Sequence, residues 1–231
     1  MPINRLLLAV MIVWSIPSST NAEPEKQIAV KGGLGISSVT EDNQLSRRSR
    51  YGLSGGVAGS LHWPLVERYL LAGQVELLYA QRGSQAFFED EYIGTVRTHY
   101  AGIALAARPE VRLGTVRVYL LLGGTMSFLL SANTKNASGM TRDVTGDLHR
   151  TDLALLAGAG VAWHLLHRRP GPLRLGTIFV EVRHDHGLSD LDAVIGGFKN
   201  RSSSLMLGLS FAVGPPAPRR VGPRQPREDD L

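Results

Sequence analysis

The sequence predicts an all-β protein: an eight-stranded antiparallel up-and-down transmembrane β-barrel. Three observations predict it. Beyond residue 22 the chain alternates between strand-like runs and connections that are long and short in turn. Within the runs, residue parity separates a large apolar face from a face of glycine, alanine, serine and isolated charges. No stretch offers the ~20 consecutive apolar residues of a spanning helix, so any crossing of a bilayer must be made by strands.

The elements follow in order. Residues 1–22 read as a cleaved secretory signal. Arg5 supplies its positive start, Leu6 to Ile16 its apolar stretch, and Thr20 and Ala22 the small positions before a cut after Ala22. Pro17 interrupts a run already too short for a retained anchor. Strands are expected at 27–38, 51–62, 69–82, 96–108, 115–129, 151–165, 173–187 and 202–213. The connections 39–50, 83–95, 130–150 and 188–201 are long. The others are short and marked by proline, around Trp63-Pro64, Arg108-Pro109 and Arg169-Pro170-Gly171-Pro172. Long loops at one end and tight turns at the other form the pattern of bacterial outer-membrane barrels. Residues 214–231, with five prolines and four arginines, read as a disordered periplasmic tail, which leaves 23–213 as the barrel domain.

Parity is clearest in the last strand, where Leu205, Leu207, Leu209, Phe211 and Val213 oppose Ser204, Met206, Gly208, Ser210 and Ala212. In the third, Leu71, Val75, Leu77 and Tyr79 oppose Gln74, Glu76 and Arg82. In the seventh, Ile178, Val180 and Val182 oppose Glu181, Arg183 and Asp185; in the fifth, Val116, Val118, Leu120 and Leu122 oppose Arg117 and Tyr119. The fourth and sixth carry alanine and glycine on both faces. A soluble barrel also alternates, but its outer face should be rich in Lys and Glu. Here the polar face is mostly small, which suits the interior of an eight-stranded barrel, just wide enough for side chains to fill. The apolar face therefore points to lipid. Trp63, Trp163 and Phe211 lie on it at the short-turn ends, where a membrane-interface girdle is expected. Lys31, Glu76, Arg117, Glu181 and Arg183 fall on the other face and are expected to pair as a polar network in the lumen, with Asp185 beside them.

Composition bounds the rest. The chain has 231 residues, 43% hydrophobic, and no cysteine, which suits one domain or at most two, without disulfides. Its 25 basic residues are dispersed among 20 acidic ones, which argues against a nucleic-acid partner.

With these features in place the chain resembles the PorT-like family of small, porin-like outer-membrane β-barrel domains. The residues that carry the likeness are Lys31-Gly32-Gly33-Leu34-Gly35, Glu76-Leu77-Leu78-Tyr79 with Gln81-Arg82-Gly83, Arg183 leading to Gly187-Leu188-Ser189-Asp190, and Lys199-Asn200-Arg201 before the last strand. It covers about Gln27 to Val213. The last strand, with Gly208, Phe211 and Val213, is similar to the signal that barrels present to the barrel assembly machinery; Met206 and the 18 residues beyond Val213 depart from that pattern. The resemblance implies a membrane barrel surrounded by outer-membrane lipid, with no cofactor and no catalytic residues.

Residues 183–189, Arg-His-Asp-His-Gly-Leu-Ser, are the one stretch worth weighing as an enzyme. His186 and Ser189 near the rim look somewhat like a lipid A deacylase, where a serine needs a base in hydrogen-bond reach. The Ser-Asn that such a site would carry after its histidine is missing, and Ser189 reads as the start of a loop. His184-x-His186 lacks further metal ligands nearby. The acidic, aromatic run 87–92 reads as a solvated loop with a small apolar cluster, and a cation or a basic partner is its alternative. Asn136-Ala137-Ser138 matches a glycosylation acceptor, without meaning in a bacterial barrel. The expectation is a non-enzymatic surface protein, supporting the envelope or contacting an unidentified extracellular ligand through four loops. A narrow diffusion pore and a lipid-modifying enzyme are the alternatives.

Overall fold

Period-two alternation lets each strand turn its small and polar residues one way and its leucines and valines the other. The structure is a computed structural model and describes residues 24–40, 46–88, 91–165, 173–190 and 199–213. The expected signal segment 1–22, the expected tail 214–231 and the turn expected at Arg169 to Pro172 lie outside the described residues. Nine strands form one antiparallel sheet: β1 Glu25–Thr40, β2 Ser46–Val66, β3 Tyr69–Phe88, β4 Glu91–Leu113, β5 Val116–Asn136, β6 Thr141–Asp143, β7 Thr151–His164, β8 Leu173–Asp190 and β9 Lys199–Val213. Eight of them pair with their neighbours in a ring. β1 meets β9 from Lys26↔Val213 to Thr40↔Lys199, so neither end of the sheet is left as an edge. Closure is what a sheet needs in lipid, where an unpaired backbone group finds no water.

β6 is not part of the ring. It folds back on the end of β5, Thr134 opposite Arg142, and a short 3-10 turn at Thr145–Asp147 follows it. Asn136 holds the turn between them, its Oδ1 accepting from Ser138 Oγ and Met140 N, each at 2.8 Å.

Outward positions around the middle of the barrel wall are apolar. Leu34, Leu53, Leu77, Leu105, Leu122, Leu155, Val182 and Leu207 are all more than half exposed. Such a continuous exposed apolar belt would be an aggregation hazard in water and is the surface lipid requires. Inward, Ala104, Ala106, Tyr119, Leu121, Leu156, Ala162 and Phe179 make a small apolar core. The fourth and sixth expected strands, β4 and β7, alternate as regularly as the rest: in β7 Leu153 and Leu155 face out while Ala154 and Leu156 are buried.

Three sequence expectations are corrected. The strands run further than the apolar alternation suggests; β3 and β4 pair from Phe88↔Glu91 down to Tyr69↔Val111, so most of the expected loop 83–95 is hairpin. Two of the expected proline sites, Trp63-Pro64 and Arg108-Pro109, do not mark turns. Pro109 interrupts only the ladder toward β5, which jumps from Ala107↔Leu122 to Glu110↔Tyr119, while its β3 side continues through Leu71↔Pro109. The chain reverses instead at Gly114-Thr115, where Gly114 takes φ +66°, and at Glu67-Arg68 rather than Trp63-Pro64. Ser189 does not open a loop; β8 continues through it to Asp190.

Candidate functional site

The alternation that sends leucines to lipid sends a column of charges into the lumen. At mid-height Lys31 of β1, Glu76 of β3 and Glu181 and Arg183 of β8 converge. Lys31 Nζ donates to Glu76 Oε1 at 2.6 Å and to Glu181 Oε1 at 2.9 Å. Arg183 Nη1 donates to Glu76 Oε2 at 2.7 Å and Nη2 to Asp185 Oδ1 at 3.2 Å. Tyr119 OH donates to Glu181 Oε2 at 3.2 Å, Gln74 Nε2 to Glu76, and Thr125 Oγ1 to Asp185 at 3.0 Å. Glu76 is 0% exposed, Glu181 1% and Arg183 2%. At such burial a lone charge would cost several kcal/mol, and each here has an opposite charge in contact.

Toward the turn end a second cluster uses residues that sequence parity did not single out. Arg108 lies 3.6 Å over the centre of the Tyr119 ring and reaches Gln74 Oε1 through Nη1 at 3.1 Å. Glu110 sits among Arg108 Nε at 2.8 Å, His62 Nδ1 at 3.3 Å and Arg117 Nη1 at 3.7 Å. These are ion-pair distances off hydrogen-bond geometry, so both Glu110 oxygens lack a directed donor. Arg117 also reaches Glu25 at 3.4 Å, and thus lies in this cluster rather than with Lys31 and Glu76. Arg108 and Glu110 were hidden by the proline between them, which reads as a turn; His62 shares the inward parity of Ala58 but has no charged neighbour in its strand.

Toward the loop end Asp152 is the hub. Arg82 Nη1 donates to its Oδ2 at 2.9 Å, Asn200 Nδ2 to the same oxygen at 3.3 Å, and Ser189 Oγ to Oδ1 at 3.0 Å. Ser189 Oγ also accepts from Leu153 N at 2.8 Å. Its hydroxyl proton is thereby committed to Asp152. His186 follows the outward parity of His184 and lies with it, ring centres 6.3 Å apart. Among the described residues no group of His, Asp and Glu is placed to hold a metal ion.

Two aromatic rings close the gaps between these clusters. Tyr119 lies against Gly160, its cross-strand partner, and Phe179 against Gly208, likewise its partner. A cavity of about 40 Å³ sits on the loop side of Arg183 with Ser37, Ser54, Tyr100 and Thr125 among its lining. That is room for several water molecules. Ser54 Oγ and the Nε atoms of Arg82 and Arg183, all from residues of this lining, have no protein partner.

Of the residues expected at the girdle, Trp63 and Trp163 are exposed on the outer face, and Phe211 is partly covered. Trp163 stands opposite Val116 and Ile178, and Trp63 opposite Leu71, all close to the turn end.

No curated protein matches the chain. Among solved structures it is similar to Ail, the attachment invasion locus protein of Yersinia pestis, at 20% identity over 82% of this chain and 100% of that one, with a TM-score of 0.38. It is similar to neisserial surface protein A at 14% identity, 79% and 95% coverage and a TM-score of 0.44. With OprG from Pseudomonas aeruginosa the values are 8%, 83%, 96% and 0.42. Likeness this distant says nothing of function. The family model described as outer membrane protein beta-barrel domain matches residues 21–193, most of the sequence, and the chain therefore belongs to that family of bacterial outer-membrane proteins.

Proposed function

We propose that this protein is a non-enzymatic, closed barrel that acts through what it displays on the cell surface rather than through what it conducts or converts. The carrying observation is Glu76, fully buried at mid-lumen and held between Lys31 and Arg183, whose own strands lie on either side of the barrel seam. The five lumenal residues Lys31, Glu76, Arg117, Glu181 and Arg183 serve structure in this reading. With Tyr119 and Phe179 they fill a lumen too narrow for a water column. Ser189, its proton already given to Asp152, lends no support to lipid hydrolysis with His186 as base. The surface display falls to the parts of β2 to β5 that run past the apolar belt, with β6 and its turn.

The same reading includes delivery by a signal cleaved after Ala22, insertion by the barrel assembly machinery through β9, and a girdle of Trp63, Trp163 and Phe211 at the periplasmic interface. Within the family, the ordered glycine-rich and charged motifs favour the PorT-like group.

A narrow pore is the second reading, and the cavity beside Arg183 favours it. Planar-bilayer recording separates the two. The closed barrel gives no steady conductance from folded wild-type protein, whereas large, steady single-channel steps overturn it.

A further inference from the structure

Lumenal arginines are matched by acids: Arg82 by Asp152, Arg108 and Arg117 by Glu110, and Arg183 by Glu76. On the outer face, at the loop-side limit of the apolar belt, the arrangement is different. Arg97 of β4 is exposed and alternates with the inward Thr98; its cross-strand partner on β3 is Gly83. Arg50 of β2 reaches across the same glycine. Its Nη1 donates to the Arg82 carbonyl at 3.3 Å and lies 3.4 Å from where a Cβ on Gly83 would stand. Arg97 opposite Gly83 and Arg50 Nη1 beside it thus converge on the same position of β3. Neither has a carboxylate partner among the described residues. Like charges gathered over a position without a side chain repel one another unless an anion joins them.

Their height is fixed by the residues beneath. Outward from β3 come Leu77, Tyr79 and Gln81, and from β4 Ile103, Ala101 and His99, so the wall turns from apolar to polar here. The polar side is bonded together, with Tyr79 OH 2.6 Å from His99 Nδ1 and Gln81 Nε2 donating to Tyr79 OH at 3.3 Å. Arg97 is one outward position beyond His99, which is ~7 Å along a strand. That places Arg97 at head-group depth on the outer face, with the half-buried Arg50 guanidinium beside Gly83.

We propose that Arg50 and Arg97, over Gly83, bind a phosphate group of an anionic glycolipid in the outer leaflet. Guanidinium is the side chain suited to this, since it stays charged, is weakly hydrated and meets phosphate oxygens with paired N–H donors. Gly83 brings no side chain between the two arginines, and one there would collide with the Val96 carbonyl. The site holds a head group at the barrel wall and would orient the protein's loop end against the surrounding leaflet.

The test uses full-length folded protein in detergent, mixed with diphosphorylated lipid A or with the same lipid stripped of phosphate. Bound lipid is read by native mass spectrometry and folding by heat-modifiable mobility. Wild-type protein is expected to retain the phosphorylated lipid on the order of tenfold better than the stripped one. Arg50→Gln with Arg97→Gln should remove that preference, while Arg201→Gln on β9 keeps it. Should the double variant fail to fold, Arg97→Gln alone, a change at an exposed position, gives the same readout in reduced form. Equal retention of the two lipids by wild-type protein overturns the proposal, as does an undiminished preference in the folded Gln variants. Release of the lipid by millimolar inorganic phosphate alone would also overturn it, because the site would then be one for free phosphate.

Discussion

The ring of Phe179 occupies the space that a Cβ on Gly208 would need, and the two residues are direct cross-strand partners on β8 and β9. Tyr119 and Gly160 repeat the relationship across β5 and β7. In a lumen this narrow a ring cannot stand upright against a wall of side chains on every strand. Folding it flat over a glycine covers the exposed backbone and leaves the centre to the charges.

Gly208→Ala is therefore expected to destabilise the barrel. The added methyl would displace a ring confined by the opposite wall, a crowding cost of about 1–3 kcal/mol. Urea titration of protein folded in vesicles, followed by the heat-modifiable band, measures it. Adding Phe179→Leu to the same chain should recover part of the loss, and equal costs with and without that second change would place the strain elsewhere.

Glu76→Ala should cost more, about 3–5 kcal/mol, because it strips an acid from two buried cations at once. Lys31 keeps Glu181 and Arg183 keeps Asp185, so the barrel should still fold. Adding Lys31→Met to Glu76→Leu leaves Glu181 without its cation, so the double change should cost more than Glu76→Leu alone but less than the sum of the two single changes. A double change as costly as the sum of the two single ones would show that Lys31 and Glu76 act independently.

The wall of this barrel was legible because lipid tolerates so little. Leu205 to Val213 could only face out, and once that face was set, Glu181 and Arg183 had to face in. What the sequence did not reveal is what tertiary pairing decides. Proline reads as a stop, yet Pro109 continues β4, because the bond it cannot make lay on the β5 side, where the ladder skips two residues. Its neighbours Arg108 and Glu110 were lost with it. Asp152 opens a strand of alanine, leucine and glycine, and its partners Arg82, Asn200 and Ser189 come from three other strands, a meeting no local period encodes. The height of β3 and β4 beyond the apolar belt was equally silent, since outside lipid the hairpin no longer has to alternate.

Outside the membrane, the turn after β6 gives a pH dependence with a definite sign. Asp143 Oδ1 accepts from the Thr145 hydroxyl at 2.6 Å and from its amide at 2.8 Å, and these bonds hold the carboxyl below its usual range, the hydroxyl contributing most. A group depressed in this way contributes stability above its unfolded pKa and loses it as pH falls through the folded one. Protection of the Thr145 amide from exchange, relative to its intrinsic rate, should therefore fall below about pH 4. Asp143→Asn keeps an acceptor that does not titrate and should flatten the profile. An unchanged pH response in that variant would assign the effect to another group.

The deepest test of the arrangement is a charge placed on the lipid face at two depths. Val180 stands at mid-height of β8 between Val161 and Leu207, while Trp163 stands near the turn end. An arginine at 180 finds no water and no anion, and Val180→Arg should cost about 2–4 kcal/mol, whereas Trp163→Arg can extend into the head groups and should cost about 0–1 kcal/mol beyond the packing lost with the indole. Ser210→Arg serves as the inward control. Ser210 donates to Gln27 Oε1 at 2.6 Å inside the barrel, so the arginine there acts through crowding and should be relieved by shortening Gln27, which leaves the Val180→Arg penalty untouched. Unfolding in vesicles of two thicknesses completes the measurement: a thinner bilayer brings water nearer to position 180 and should lower its penalty alone. Equal penalties at 180 and 163 in both bilayers would mean that the apolar belt does not face lipid.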